Sequence, residues 1–435
     1  MSFTIADMAT RPKVSMYALI DCNNFYVGCE RLFDPSLEGV PVGVLTNNDG
    51  CVIARSDELK ALGIAMGTPA HQIPPALRRR IVLKSPNYSL YGDLSGRVQQ
   101  VLQARVPALE PYSIDECFLD LRGLDDDLEA LGRDLVRAVE RDVGLPVSLG
   151  IAPTRTLAKL ANHRAKRLPT RPQVWTWANA EAPELLAHLR ELPVKKIWGI
   201  GSRLGLRLND AGIDSAAALR DAPEDWLRRR FSVVVARTAR ELRGTSCLAP
   251  QDLEAPRRSI LCSRSLGRSV NDRTQLGEAL RHHCQRAGEK LRRDDLTASA
   301  IGIFLRTNPH QAVPQQRGSV WTPLPFPSAD TLRLNRYAQQ LLDRLWRPEC
   351  AYQKLGVMLA ELSPRRFSQP SLLDGAEPQR QEALMGVWDA IRQRYGREAL
   401  TLGVQRQDGE WRMNSRYRSR RYTTRWNELP TVKAR

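Results

Sequence analysis

The sequence predicts an α+β fold in several domains, and three observations predict it. An order of strand, helix, two strands, helix, strand runs from Met16 to Thr176, the plan of a split βαβ sheet with helices on one face. A second order of this kind returns between Ile260 and Leu362, with no sequence repeat of the first. Between them, about Glu181 to Arg243 reads as all helix. At 435 residues the chain also exceeds what one hydrophobic core organises.

The apolar run Met16-Tyr17-Ala18-Leu19-Ile20 reads as a buried strand that delivers Asp21 to its tip. Residues 37–85, short apolar runs broken by glycines, read as a small insert. Apolar residues at helical spacing mark Tyr88 to Val106, Pro111 to Leu121 reads as a turn feeding a strand, and Leu128 to Val143 is a second amphipathic helix. Pro146 to Ile151 is a short strand, Thr154 caps a helix reaching about Arg167, and Val174 to Trp177 closes the sheet, one face of which is expected to stay open. In the helical stretch, Val194 to Gly201 followed by Leu204 to Leu208 has the look of a helix-hairpin-helix. There Gly199 and Gly201 would expose backbone N–H groups to a phosphate beside Lys195. A plain helix connection, with glycine supplying φ > 0, is the other reading. The second sheet domain begins with a strand, Ile260 to Ser265, and its first helix, Asp272 to Arg293, carries Arg281, Arg286, Lys290, Arg292 and Arg293 as a candidate duplex-binding face.

The resulting divisions are an extension 1–15, a split-sheet domain 16–36 and 86–180, the insert 37–85, the helical domain 181–243, a linker 244–257, the second sheet domain 258–365 and a C-terminal region 366–435. In that last region Gln369-Pro370-Ser371-Leu372-Leu373-Asp374 could be a docking peptide, and Arg416 to Trp426 interleaves cations with aromatics.

Lysine and arginine number 65 against 48 acids, a formal charge of +17, which favours a polyanionic partner. Membrane lipid is the rival, but no stretch approaches the ~18 apolar residues of a spanning helix, and residues 1–15 carry no secretory h-region, so a cytoplasmic protein is expected. The eight cysteines include no Cys-x-x-Cys pair and read as reduced core thiols.

Asp115 and Glu116 stand at a strand entrance in the sheet that carries Asp21. Asp21 alone could simply cap the next helix. Three carboxylates converging on one sheet edge repel unless cations bridge them, which points to Mg²⁺ or Mn²⁺ and to in-line phosphoryl transfer. Lys159, Asn162 and Lys166 share one face of the Thr154 helix, and Lys60 and Arg55 are further candidates for a triphosphate.

Asp21-Cys22-Asn23-Asn24-Phe25-Tyr26 together with Ser113-Ile114-Asp115-Glu116 resembles the catalytic signature of the Y-family translesion DNA polymerases. Gly50-Cys51-Val52-Ile53-Ala54-Arg55-Ser56 and Arg421-Tyr422-Thr423-Thr424-Arg425-Trp426 resemble its UmuC branch. The resemblance runs from about Met16 to the C-terminus. It implies a right-hand polymerase with palm, fingers, thumb and little finger in the order given above, acting on primer-template DNA and deoxynucleoside triphosphates in error-prone SOS mutagenesis. By its pattern Asp21, Asp115, Glu116 and the carbonyl of Cys22 hold two Mg²⁺ ions, for which Mn²⁺ can substitute. Tyr26 is the steric gate against a ribose 2′-hydroxyl, with Phe25 beside it at the nucleotide, and Lys60 and Lys166 meet the triphosphate. Many relatives carry Tyr-x-x-Arg where Asp57 and Lys60 stand, so the part of Asp57 is open and Arg55 is the residue that could compensate. The resemblance further implies a sliding clamp docked on Gln369, Leu372 and Leu373, a processed UmuD-type dimer and a RecA filament as partners, and a bacterial, nucleoid-associated location. A non-catalytic clamp-docked DNA-binding scaffold and another palm enzyme such as a nucleotidyl cyclase are the competing readings.

Overall fold

The computed structural model describes residues 16–124, 127–248, 257–367, 377–397, 399–403, 409 and 411–429. Two compact units divide them. The first takes 16–45, 51–248 and 417–429, and the second takes 46–50 with the described part of 257–416. The extension 1–15, most of the linker and the segment Gln369 to Leu373 lie outside the described residues.

In the first unit β1 (Tyr17–Cys22) is followed by α1 (Phe25–Phe33), then by β2 (Val42–Leu45), β3 (Val52–Arg55), α2 (Asp57–Ala61), α3 (Pro75–Arg78) and β4 (Val82–Lys84). Next come α4 (Tyr88–Gln103), β5 (Ala108–Pro111), β6 (Glu116–Asp120), α5 (Leu128–Val143), β7 (Val147–Ala152), α6 (Arg155–Ala165) and β8 (Gln173–Thr176). The main sheet has the order β5-β6-β1-β7-β8, with β1 antiparallel to both neighbours and β8 parallel to β7. β3-β2-β4 form a separate small sheet with its own core of Leu45, Val52, Leu59, Ile64 and Ile73.

Every residue of β1 is buried, because both faces of the sheet are covered at its centre. Alternation sends Ala18, Ile20 and Cys22 into the core shared with α4 and α5, and Tyr17 and Leu19 into the opposite core shared with α6. The expected open face is therefore closed at β1 and β7. The cause is the parallel β7–β8 pair, which requires a crossover, and α6 is that crossover. Thr154 starts it by accepting a hydrogen bond from the Leu157 N–H. Packing is so close that a Cβ on Gly150 of β7 would lie 2.0 Å from the Asn162 nitrogen.

Helices α7 (Pro183–Glu191), α8 (Ser202–Asn209), α9 (Ala216–Asp221), α10 (Glu224–Arg230) and α11 (Val233–Leu242) complete the first unit. Their inward residues, among them Leu185, Leu208, Leu219 and Leu242, extend the core on the α6 side.

The second unit runs β9 (Ser259–Val270), α12 (Arg273–Arg293), β10 (Leu296–Thr307), β11 (Arg317–Ser328), α13 (Thr331–Leu345), β12 (Tyr352–Pro364) and α14 (Glu377–Tyr395). Its antiparallel sheet has the order β11-β10-β12-β9, and its core joins that sheet to α12 and α13. Two expectations change here. The basic face of α12 is partly an internal surface, since Arg292 forms a two-point ion pair with Asp389 of α14 and donates to the Ala329 carbonyl. The C-terminal region, expected to be weakly structured, contains α14, and beyond it Trp411 is buried with its indole N–H on Glu278.

Candidate active site

The strand tip is built by the polar residues that end β1. The Cys22 N–H donates to the Asp115 carbonyl at 2.9 Å, and the Asn23 N–H donates to the Pro146 carbonyl at 2.8 Å. The Asn23 side chain is locked as well: its amide donates to Gln173 at 2.9 Å and its oxygen accepts from Ser148 at 2.9 Å. Asn24 then caps α1 in the left-handed region, φ 49°, a conformation asparagine tolerates better than most residues. Asp21 is thus a strand residue and no helix cap.

Asp21 and Glu116 are direct partners in the β1–β6 register. By alternation both lie on the α6 side, where Lys166 meets Asp21 at 2.6 Å and Lys159 meets Glu116 at 2.8 Å. Burial pushes the Asp21 carboxyl up to about 7 against the pull of Lys166, so the site disfavours bare negative charge and calls for a cation. Asp115 is held differently: the Ser113 hydroxyl donates to its carboxylate, and the Asp115 and Glu116 N–H groups donate back to Ser113. Among the described residues no three His, Cys, Asp or Glu side chains stand together as a ready metal cluster. Two of the three expected acids are gathered and the third is turned to its own loop.

Lys159 also sits over the rings of Tyr112 at 4.3 Å and Trp198 at 5.4 Å, and the Trp198 indole donates to the Tyr112 hydroxyl. Lys159 and Trp198, with Lys196 and His163, wall a cleft of about 270 Å³ above Asp21 and Glu116. Asn162 differs from its sequence assignment. It is 3 % exposed and its amide donates to the Ser148 and Leu19 carbonyls, so it clamps α6 to the sheet.

On the other side of the strand tip is a larger groove of about 660 Å³, whose lining includes Asn24, Arg31, Asp57, Lys60, Lys166 and Arg171. Lys60 donates to Asn24 and to Asp57, each at 2.7 Å, which explains the departure at Asp57: its carboxylate steadies Lys60. The Lys60 ammonium also holds the Asp57 carboxyl below the usual carboxylate range. Arg55 spends one guanidinium nitrogen on the Ile64 carbonyl inside the small subdomain. Phe25 is buried, while Tyr26 is half-buried, with the Tyr91 ring stacked on it at 4.5 Å and 17° and Tyr88 edge-on at 6.0 Å. Burial holds the Tyr26 hydroxyl up to about 12, so the ring stays neutral. Sequence reasoning missed Trp198, Gln173 and Tyr91, which come from distant segments with no spacing to connect them to the strand tip, and Glu30, whose partners Tyr91 and Ser419 lie far away in the chain.

In the helical region Gly199 has φ +84° and Gly201 precedes α8 with ordinary extended backbone. Gly199, Gly201 and Lys195 are all exposed, and Ile197 and Ile200 anchor the bend from beneath.

Comparison with known proteins places this arrangement. A Y-family DNA polymerase chimera of known structure superposes with a TM-score of 0.62 at 20% identity, covering 80% of this chain and 98% of that one, so the fold is that of a Y-family polymerase. Family models described as impB/mucB/samB and as its C-terminal domain match residues 20–163 and 257–372, and a model described as a domain of unknown function matches 382–432. Protein ImpB of Salmonella typhimurium is 39% identical over 96% of this chain and 100% of its own length. Protein UmuC of the same species is 40% identical with the same coverage. DNA polymerase IV of Pelotomaculum thermopropionicum is 28% identical over 89% of this chain and 94% of its own. The chain belongs to the impB/mucB/samB family. Among the described residues no helix is long and apolar enough to cross a membrane.

Proposed function

We propose that the chain is an error-prone translesion DNA polymerase. It adds a deoxynucleotide opposite a template base, damaged bases included: the primer 3′-hydroxyl attacks the α-phosphate, the α–β phosphate bond breaks and pyrophosphate leaves. The observation that carries this reading is the cross-strand pairing of Asp21 with Glu116 at a strand tip whose continuation places Tyr26 in the first turn of α1. Relatives named UmuC and DNA polymerase IV support it.

The donor set suits a hard divalent cation: carboxylate oxygens that lysines neutralise in this structure. Asp21, Glu116, Asp115 and the Cys22 carbonyl would hold it, and two Mg²⁺ ions, or Mn²⁺ in their place, are the proposed form. When bound, such ions lower the pKa of the attacking hydroxyl and neutralise charge on the transferring phosphate. Lys60, Lys166 and Arg171 would orient the triphosphate in the basic groove. Tyr26, with Phe25 packed beneath it, would crowd a ribose 2′-hydroxyl. Gly199, Gly201 and Lys195 would take the DNA backbone. A sliding clamp on Gln369, Leu372 and Leu373, a UmuD-type processed dimer and a RecA filament are the proposed protein partners, on the bacterial nucleoid.

Primer extension across an abasic site tests the assignment. Asp115→Ala/Glu116→Ala should lower extension by about a thousandfold or more. Extension at the unaltered rate would return the chain to a scaffold role.

A further inference from the structure

The residues that hold the Tyr26 ring lead away from the nucleotide and end in the C-terminal segment. Tyr91 on α4 stacks on Tyr26, and its hydroxyl donates to Glu30 at 2.6 Å. Glu30 follows Tyr26 by one turn of α1, is 1 % exposed, and its Oε1 accepts a second hydrogen bond, 3.0 Å, from the hydroxyl of Ser419. A buried carboxylate with two hydroxyl donors is a directional joint, because losing either donor leaves charge underserved in a dry place.

Ser419 is itself fixed. Its hydroxyl accepts from the Asn87 amide at 2.9 Å while donating to Glu30, and the same amide reaches the carbonyls of Ser419 and Arg420. Tyr417 and Ser85 exchange two hydrogen bonds, main chain to main chain and main chain to hydroxyl. Tyr422 stacks on Phe33 of α1 at 4.8 Å and 9°. Arg421 and Glu428 close the segment on itself through several hydrogen bonds. Residues 417–429 therefore clasp the end of α1 and the start of α4, the two helices that carry Tyr26 and Tyr91.

We infer that this C-terminal clasp sets the sugar selectivity of the polymerase, with Ser419, Glu30 and Tyr91 acting as positioning residues for the Tyr26 ring. The inference rests on the reading of Tyr26 as the steric gate and assigns a task to part of the segment matched by the model of unknown function. A gate excludes a hydroxyl by a clash of a few tenths of an ångström, so a ring free to tilt loses discrimination while still admitting a deoxynucleotide. Released from Glu30, Tyr91 keeps its stacking area and loses the anchor that fixes its tilt.

The test compares insertion of a deoxynucleotide and its matching ribonucleotide by the full chain opposite an undamaged base. It uses Tyr26→Ala, Ser419→Ala, Ser419→Thr, Tyr91→Phe and the Ser419→Ala/Tyr91→Phe double variant. Expected is a rise of about fivefold in the ribonucleotide-to-deoxynucleotide ratio of kcat/KM for Ser419→Ala and for Tyr91→Phe. The double variant should match the larger single, Ser419→Thr should stay near the unaltered ratio, and deoxynucleotide insertion by Ser419→Ala should hold within about twofold. Tyr26→Ala should exceed them all. If Tyr26→Ala raises the ratio and the other singles leave it unchanged, even with a lowered melting temperature, the clasp is only structural and the inference falls while the gate stands. A ratio untouched by Tyr26→Ala overturns the gate and the clasp together, and multiplicative effects in the double variant overturn the relay.

Discussion

Single residues decide the nucleotide groove. Asp57 looks misplaced beside a triphosphate, yet its ion pair with Lys60 is half exposed, and such pairs contribute about 0–1 kcal/mol. Asp57→Ala should therefore change the KM for deoxynucleotide by less than about fivefold. Lys60→Ala, which removes the proposed phosphate contact, should raise KM by about tenfold with a smaller effect on kcat. Steady-state insertion kinetics separate the two, and a larger effect from Asp57→Ala would make the carboxylate, and not the ammonium, the working group. The placing of the acids at strand termini was legible because Asp21 closes one apolar strand and the Asp115-Glu116 pair opens another. Asn162 was misread because helical spacing places it beside Lys159 and Lys166, whereas α6 is buried nearly all round and the Asn162 amide faces carbonyls of the sheet.

At the scale of elements, the close crossing of α6 over β7 positions the acids, because α6 supplies both lysines that meet them. Gly150 permits that crossing. Gly150→Ala would press a methyl group into the α6 backbone and should cost about 3 kcal/mol, lowering the melting temperature of the first unit by about 6–12 °C. A thermal shift within about 1 °C of the unaltered chain would mean that the helix can retreat freely. Elements with a strong period or a cap were readable: Thr154 stands at the N-cap of α6, as expected from the sequence, and α12 ends at Arg293 as its period predicts. β5 falls between the helix read to Val106 and the turn read from Pro111, in a stretch too short to show a period. α14 lacks an apolar stripe, with Leu384 and Val387 exposed and Met385 turned inward, and it is tied to α12 by the Arg292–Asp389 ion pair, which periodicity does not register.

For the whole molecule, two units with separate cores predict two thermal transitions, and acid should act on the second. His283 is buried in that unit and His282 packs against Trp411. Burial first, and then the neighbouring Arg264 and Arg286, hold them down to about 3 and about 4. The unfolded chain binds protons at these histidines near pH 6.5 and the folded unit does not. Stability is thus complete above that pH and declines below it, by up to about 1.4 kcal/mol per histidine per pH unit, until the folded values are passed. Calorimetry at pH 7 and pH 5 should show the second unit's transition fall, and His283→Gln should flatten the dependence. A transition that holds constant across that range would place both rings in contact with water.

Translation order gives the clasp a genetic meaning. The three acids emerge from the ribosome before the second unit, and Ser419 emerges after it. A frameshift or stop codon shortly before Ser419 would leave a chain that owns the chemistry of phosphoryl transfer without the segment that disciplines its choice of sugar. Such late lesions would then be mutators of an unusual kind, sowing ribonucleotides into the strand, and alkali-sensitive sites in newly made DNA would count them.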